Sequence, residues 1–139
     1  MEKKQTTRNS AQRKLIMELM RDNYSHPTAD EVYYLARKND SHISRGTVYR
    51  NLNLLCELGE LRKITMPRGA DHFDNTTKNH YHFYCRACRR VFDLPIEYNE
   101  ALNRTPAGMD GFSVEWHRVL FAGLCPQCNI NNIGGIESD

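Results

Sequence analysis

Apolar residues recur at helical spacing in the first forty residues of the chain. Residues 11–22 carry four apolar side chains on one side, with charged residues on the other: Leu15, Ile16, Leu19 and Met20. Thr28 stands three residues before Glu31, which is the spacing of a capping box, so a second helix is predicted to begin there. The apolar face of this helix consists of Val32, Leu35 and Ala36.

A third helix and a hairpin follow. Ser44 can cap the helix and Gly59 can stop it, and between them the apolar stripe consists of Val48, Leu52 and Leu55. Residues 61–65 alternate as a strand does, residues 67–69 read Pro-Arg-Gly as a turn, and residues 70–74 can return as the partner strand. Three short helices followed by a two-stranded hairpin predict a winged helix-turn-helix domain. A helical bundle with a hairpin fits the same periodicity.

The exposed side of the third helix favours the winged-helix interpretation. The residues opposite its apolar stripe are polar, basic or aromatic: Arg45, Thr47, Tyr49, Arg50 and Asn53. These residue types contact base edges and phosphates in a major groove. A helix side that only faces solvent more often carries Glu and Lys, so we predict that this helix binds DNA.

Short strands are predicted in the second half of the chain, beyond a polar stretch at residues 75–80. Residues 82–84 and 91–94 flank a pair of cysteines, residues 97–104 can form a short helix, and residues 112–121 resemble a final strand. We therefore predict an α+β protein with a winged-helix domain, a hinge and a second small domain. Their predicted boundaries are 1–74, 75–80 and 81–139.

Composition agrees with two parts that differ in role. Residues 1–65 hold 12 Lys and Arg against 8 Asp and Glu, whereas residues 66–139 hold 7 against 9, within a net charge of +2 over 139 residues. The N-terminal residues are polar and no apolar run approaches the ~20 residues that span a bilayer, so we expect a soluble, cytoplasmic protein with no membrane partner. Five cysteines in such a protein favour metal binding or free thiols over disulfides.

Four of the cysteines form two C-x-x-C pairs. Cys85 pairs with Cys88, and Cys125 with Cys128, and 36 residues separate the pairs. Two such pairs complete a tetrahedral tetrathiolate, which suits Zn(2+) and leaves no open position, so the predicted site is structural. The alternative is a pair of redox dithiols or thiols that only pack. Cys56 lies beside the apolar stripe of the third helix and is predicted to act as a small buried hydrophobe.

A second metal site is predicted around His80 and His82. Residues two apart on a strand face the same side, so both imidazoles can reach one ion. Asp74 and Asp93 are near in sequence, and His26 is more distant. Imidazole with carboxylate is the ligand set of Fe(2+), Mn(2+) and similar ions. Spacing alone leaves open which distant acid or histidine completes the site.

The chain resembles the ferric uptake regulator family. The stretch HPTADEVYYLARKNDSHISRGTVYRNL is similar to the family's second and third helices, and HYHFYCRAC with the later CPQC matches its metal signature. The resemblance runs from about Arg8 to Cys128. It implies an N-terminal winged-helix domain, a small C-terminal α/β dimerisation domain, and a structural Zn(2+) on the four cysteines.

Within the family, the pattern is most similar to the peroxide-sensing branch. The resemblance implies a regulatory Fe(2+) or Mn(2+) bound by three histidines and two aspartates: His26, Asp74, His80, His82 and Asp93. The iron-sensing branch usually has Glu at the two Asp positions. The resemblance further implies that peroxide reacts at Fe(2+), that His26 or His80 is oxidised, and that the DNA operator is then released. Mn(2+) would support repression without reacting.

The resemblance also implies the partners, which are a second copy of the chain and double-stranded operator DNA. Tyr49 and Arg50 match the pair that contacts DNA in the family's recognition helix, although peroxide sensors often carry Asn at the latter position. Arg8 matches a basic residue that reaches the minor groove. Membranes and small organic substrates are not expected to be partners.

An additional metal site of iron and zinc sensors is only half matched. Glu100 and His117 resemble one half of that site. Asn79 and Tyr81 stand where the other half needs stronger ligands. The sequence therefore leaves the occupancy of this position open.

Three other functions compete with the peroxide-sensing repressor. An iron- or zinc-responsive repressor of the same family would follow metal concentration and ignore peroxide. A non-haem Fe(II) enzyme also uses two His and a carboxylate, but it needs open coordination positions, and five candidate ligands leave little room. A zinc-ribbon interaction module would leave Tyr49 and Arg50 unexplained. We therefore predict a regulator and not an enzyme.

Overall fold

The computed structural model describes residues 2–104 and 107–130, with side chains from Arg8 onward. The chain divides into an N-terminal unit, residues 1–77, and a C-terminal unit, residues 78–139. The boundary falls inside the stretch that the sequence predicts as a hinge. None of the described helices is long and apolar enough to cross a membrane.

The N-terminal unit begins with three helices, α1 (Glu2–Arg21), α2 (Ala29–Arg37) and α3 (Arg45–Glu57). Helix α1 starts nine residues before its predicted start at residue 11. The added residues are polar, so they carry no apolar periodicity from which a helix could have been predicted. The apolar residues further along α1 pack into the unit's core, with Ile16 and Met20 fully buried.

The capping residues of α2 and α3 are those that the sequence predicts. Thr28 Oγ1 accepts from the backbone N–H of Glu31, and the Glu31 carboxylate accepts from the backbone N–H of Thr28 at 3.0 Å. Ser44 Oγ accepts from the backbone N–H of Thr47 at 3.1 Å. These bonds satisfy N–H groups that a helix leaves without partners at its N-terminus, and they fix where α3 begins.

A short hairpin completes the N-terminal unit. Strands β1 (Arg62–Ile64) and β2 (His72–Asp74) pair antiparallel, with Lys63 opposite Phe73. The predicted stripe of α3 is buried in the same core, together with the apolar faces of α1 and α2. Three helices with a two-stranded hairpin are the predicted winged helix-turn-helix, which is therefore confirmed.

The C-terminal unit contains a three-stranded sheet. Strand β3 (His82–Cys85) lies between β4 (Val91–Asp93), which is antiparallel to it, and β5 (Leu120–Gly123), which is parallel to it. A 3₁₀ helix, Glu100–Asn103, precedes β5, and a short helix α4, Pro126–Ile130, follows it. The α+β fold class is confirmed.

Two elements of this unit differ from the prediction. The helix predicted over residues 97–104 is a single 3₁₀ turn, Glu100–Asn103. The strand predicted from residue 112 begins only at Leu120, because residues 113–119 have no ladder partner in the part of the chain that the structure describes. Hydrophobic alternation indicates an extended conformation, whereas strand assignment requires hydrogen bonds to a neighbour.

Candidate metal sites and nucleic-acid interface

The two C-x-x-C pairs meet at one end of the C-terminal sheet. One ligand atom from each of the four cysteines lies within 4.8 Å of the others, and Cys88 Sγ is 3.9 Å from Cys125 Sγ. Four thiolates around one zinc at about 2.3 Å stand about 3.8 Å apart, so the spacing of the sulfurs suits a tetrahedral ion. Cys85 and Cys125 are fully buried, which limits access to the site.

Parallel pairing of β3 and β5 brings the two pairs together. Cys85 ends β3 and lies opposite Gly123 of β5, and Cys125 follows two residues later. The turn after Cys85 is closed by the backbone N–H of Arg89, which donates to the Cys85 carbonyl at 2.8 Å. Parallel strands need a long crossover, which accounts for the 36-residue spacing between the cysteine pairs.

The four thiols lie so close together that the ionisation of one affects the pKa values of the others. The backbone N–H of Cys88 lowers the pKa of the Cys85 thiol to about 6. The Cys125 and Cys85 side chains raise the pKa of Cys128 to about 12, because neighbouring sulfurs disfavour a second negative charge. A divalent cation would lower the energy of all four thiolates together and release protons on binding. The donor set therefore fits zinc.

The five predicted ligands of the regulatory site fall into two groups, one in each unit. In the N-terminal unit, His26 Nε2 lies 3.5 Å from Asp74 Oδ2, and both side chains are almost completely buried. The other Asp74 oxygen accepts from the backbone N–H of Thr76 at 2.8 Å, which orients the carboxylate. His26 lies in the turn between α1, which ends at Arg21, and α2, and its backbone has a positive φ of 55°.

The second group is built on β3 and β4. His80 Nε2 and His82 Nε2 lie 2.8 and 3.3 Å from the same oxygen of Asp93. Antiparallel register sets His82 opposite Asp93, and the two imidazole rings stand 4.3 Å apart, as the predicted two-residue phase requires. His80 Nδ1 donates to the Lys78 carbonyl, which leaves Nε2 as the nitrogen that can bind a metal.

Each group has the chemistry of half a metal site. In each group a carboxylate oxygen and one or two imidazole Nε2 atoms point at each other. Carboxylate with neutral imidazole suits Fe(2+), Mn(2+) or Zn(2+). Both groups therefore fit a divalent ion, and either would be an incomplete set of ligands by itself.

A polar network holds His117, one of the two residues that matched half of the additional metal site. Its Nε2 accepts from the Tyr81 hydroxyl at 2.9 Å, and its Nδ1 donates to Asn103 Oδ1 at 2.7 Å. Tyr98 stacks on its ring with the centroids 4.6 Å apart. Both ring nitrogens are therefore engaged by protein atoms, and among the described residues His117 belongs to neither cluster of potential metal ligands.

The N-terminal half of α3 exposes several of the side chains that were predicted to contact DNA. Tyr49 is 42% exposed, and the Arg50 guanidinium donates to Thr47 Oγ1 at 3.2 Å. A Cβ on Gly46 would lie 3.1 Å from Arg50 Nη1, so a larger residue there would require only a small shift of this flexible arginine side chain. Arg8, also predicted to contact DNA, is exposed on α1. These positions are accessible, as a groove-binding surface requires.

Arg45, the first residue of α3, is held by α2. Its guanidinium donates to the Asp30 carboxylate and, at 3.0 Å, to the Tyr34 hydroxyl, and it stacks 4.5 Å from the Tyr33 ring. Asp30 and Arg45 are about half exposed. We call Arg45 with Asp30, Tyr33 and Tyr34 the Arg45 cluster. The sequence did not point to the three partners, because they lie more than ten residues before Arg45 and a helical pattern relates only near neighbours.

Cys56 is half-buried against the core of the N-terminal unit. Burial raises the pKa of its thiol, so the sulfur stays protonated and unreactive. This agrees with the prediction that Cys56 acts as a small hydrophobe, although it is less buried than predicted.

The fold and sites define a winged-helix protein joined to a small metal-binding α/β unit, which is the class of metal-responsive regulators. A sequence profile of the ferric uptake regulator family matches residues 4–122. The chain therefore belongs to the ferric uptake regulator family and is a metal-responsive regulator, and the proteins related to it are regulators and not enzymes.

Individual relatives agree with this assignment. The peroxide-responsive repressor PerR of Staphylococcus aureus is 31% identical over 121 residues, which are 87% of this chain and 82% of the relative. A crystal structure of a Campylobacter jejuni peroxide stress regulator is similar with a TM-score of 0.72 and 29% identity, over 92% of this chain and 96% of that one. The ferric uptake regulator Fur of Helicobacter pylori, at 20% identity and a TM-score of 0.71 over 86% and 80% of the two chains, shares the fold.

Proposed function

We propose that the protein is a homodimeric, metal-dependent repressor that binds operator DNA and releases it on exposure to peroxide. The two groups of ligands carry this proposal, since each combines imidazole with an Asp carboxylate. Asp at positions 74 and 93 is the pattern that resembles the peroxide-sensing branch. The relatives in Staphylococcus aureus and Campylobacter jejuni are named for a response to peroxide.

The regulatory ion is proposed to use both groups at once. His26 and Asp74 belong to the N-terminal unit, whereas His80, His82 and Asp93 belong to the C-terminal unit. An ion bound by all five would hold the two units in one orientation. In a dimer, that orientation sets the distance between two recognition helices, which must match DNA half-sites one helical turn or a multiple apart. A 100-fold rise in DNA affinity requires only about 2.7 kcal/mol of coupling.

The peroxide response is proposed to act through the imidazoles. Fe(2+), when bound, would supply the redox chemistry that cleaves peroxide, which Mn(2+) does not readily do. Overall, one H2O2 would convert one C–H of the His26 or His80 imidazole to C–OH, and the second oxygen would leave as water. An oxidised imidazole is a poor nitrogen donor, so the remaining ligands would no longer hold the two units together. The bound metal would then no longer stabilise the conformation that binds DNA, and the affinity for the operator would fall.

We propose that the tetrathiolate holds Zn(2+) permanently. Its four ligands leave no position for a substrate or for peroxide at the ion. The sulfurs close one end of the sheet that carries His82 and Asp93, so the zinc would keep the strand register that pairs these two residues.

Metal dependence is the first test of the proposed function. A duplex selected from a random library by the Mn(2+)-loaded protein serves as the probe. Mn(2+) and Fe(2+) are each expected to raise its affinity by about 100-fold over the zinc-only protein, measured by fluorescence anisotropy. The variant Asp93→Asn should lose this gain, because it replaces the carboxylate that faces both histidines with a neutral amide, which is a weaker ligand for a divalent ion.

Asp110→Asn is the matched control, since Asp110 is exposed in the same unit and belongs to neither metal cluster among the described residues. Equal DNA affinity with and without Mn(2+) or Fe(2+) would contradict the proposal. If Zn(2+) added in excess gave the only gain, the protein would be a zinc-responsive repressor.

DNA contact is proposed to use Tyr49 for base readout and Arg8, Arg45, Thr47 and Arg50 for the backbone and flanking bases. The Arg45 cluster leads to a prediction, because Asp30 neutralises a charge that would otherwise face phosphate. Asp30→Asn is expected to raise the affinity for non-specific duplex DNA about twofold to fivefold, the range of an exposed ion pair. The slope of log affinity against log salt should steepen by up to about one unit, as one more phosphate contact requires.

Glu57→Gln controls for net charge in this experiment. Glu57 is exposed at the other end of α3, 12 residues from Arg45 or about 18 Å along the helix. It should leave the salt slope unchanged. An equal effect of both variants would show that only overall charge matters and that Arg45 is not a phosphate contact.

A further inference from the structure

We propose that His72 is a positioning residue for the regulatory site, where it holds the backbone of His26 in the conformation that presents its imidazole to Asp74. This inference rests on the proposed function, because it takes His26 and Asp74 as metal ligands. His72 itself belongs to neither cluster of potential ligands among the described residues.

The backbone of His26 needs an external restraint. Its φ of 55° lies in the left-handed region, which only a few per cent of residues other than glycine adopt, although histidine does so more often than most. A single strained residue of this kind persists only where the surroundings fix it, and such residues cluster at functional sites. The following residue, Pro27, has no N–H with which to support the turn.

The side chain of His72 supplies that restraint. Its Nδ1 lies 2.6 Å from the carbonyl oxygen of His26, and because a carbonyl can only accept, Nδ1 is the donor. His72 is only 7% exposed and His26 only 3%, so water does not compete for this bond. Two backbone contacts lie beside it, since the Phe73 N–H donates to the Pro27 carbonyl at 2.8 Å and Thr28 forms a bridge with His72.

Strand β2 therefore reaches His26 with two alternate residues. His72 and Asp74 are two positions apart, so their side chains leave the strand on the same side. The first binds the carbonyl oxygen of His26 and the second faces its Nε2 at 3.5 Å. The hydrogen bond from His72 fixes the backbone of His26 and therefore the direction of its imidazole, while Asp74 faces the Nε2 atom of that imidazole. Without the hydrogen bond from His72, the His26 imidazole should point away from the metal position, whereas Asp74 should stay in place.

Substitutions at His72 separate the hydrogen bond from the ring that fills the site. His72→Phe keeps the ring and removes the donor, whereas His72→Asn carries an amide nitrogen at about the position of Nδ1. Mn(2+) affinity, measured on the zinc-loaded full-length protein by electron paramagnetic resonance, is expected to fall about 10- to 100-fold in His72→Phe, as for other residues that orient metal ligands. In His72→Asn the Mn(2+) affinity should stay within about threefold of wild type, which is distinguishable from the 10- to 100-fold loss expected for His72→Phe.

Zinc content and the thermal midpoint of the Mn(2+)-free protein show whether each variant is folded. Should His72→Phe not fold, His72→Gln replaces it, because the longer side chain carries its amide beyond the position of Nδ1 and should lose Mn(2+) affinity while His72→Asn retains it. Wild-type affinity in His72→Phe or His72→Gln, or equal losses in all folded variants, would overturn the inference. Failure of the wild-type protein to bind Mn(2+) would instead overturn the proposed function.

Discussion

Cys85→Ser is expected to release the zinc and unfold the C-terminal unit. The apparent binding free energy of a structural zinc is about 10 kcal/mol or more, whereas a whole domain is stable by only about 5–15 kcal/mol. A unit of about 60 residues also buries too little apolar surface to fold easily without such support. Zinc content by mass spectrometry, circular dichroism and gel filtration should together show loss of metal, loss of strand signal and loss of a defined oligomer.

Cys56→Ser is the matched control, because it is the same substitution at a cysteine that lies in the N-terminal unit and outside the tetrathiolate. It should keep one zinc per chain and fold normally, with at most a modest loss of stability from its half-buried position. The zinc assignment fails if Cys85→Ser remains folded and assembled without metal, or if wild-type protein does so after purification.

Brief peroxide treatment of the Fe(2+)-loaded protein is expected to weaken operator binding strongly and to add one oxygen to a peptide that contains His26 or His80. The Mn(2+)-loaded protein should keep its DNA affinity and its mass. The loss should be about 100-fold in affinity, since it reverses the gain from metal binding. Fluorescence anisotropy measures the DNA affinity, and tandem mass spectrometry locates the added oxygen. His42, which is exposed and outside both ligand groups, serves as an internal control and should remain unmodified.

Asp93→Glu separates peroxide sensing from metal dependence. Glu is the residue usual in the iron-sensing branch, and its longer side chain moves the carboxylate relative to the two histidines. This variant should still bind DNA in response to metal but react less with peroxide. Oxidation of Cys85 or Cys88 with both imidazoles intact would identify a thiol-based sensor. No effect of peroxide on the Fe(2+) form would make the protein an iron-responsive repressor.

Local patterns in the sequence were sufficient to predict most of the fold. Thr28 and Ser44 cap the helices that they were predicted to cap, since capping depends on residues three positions apart. The apolar stripe of α3 is buried because helical periodicity and core packing follow the same spacing. The predicted start of β5 was wrong, because the pairing partner of a strand lies far away in sequence and alternation alone does not reveal where pairing begins.

The metal sites divide in the same way. That His80 and His82 face one site was predictable, because residues two positions apart in an extended chain face the same side, although β3 itself begins only at His82. Their convergence on Asp93 depends on the register of β3 and β4, which spacing did not give and the structure shows. His72 and the Arg45 cluster were missed, because each acts on a residue that is distant in sequence: His72 lies 46 positions from His26, and Asp30 lies 15 from Arg45.

The parallel pairing of β3 with β5 has a consequence for biosynthesis. The second cysteine pair leaves the ribosome 37 residues after the first, and β5 is synthesised only after β4 and the 3₁₀ helix. The N-terminal unit depends mainly on helices and a short hairpin, whose local contacts form quickly. It can therefore fold during translation, while the C-terminal unit waits for its last strand and for metal. If the tetrathiolate holds zinc as proposed, a nascent chain in a zinc-starved cell would carry a folded winged-helix unit on an unfolded C-terminal unit, which proteases could cleave.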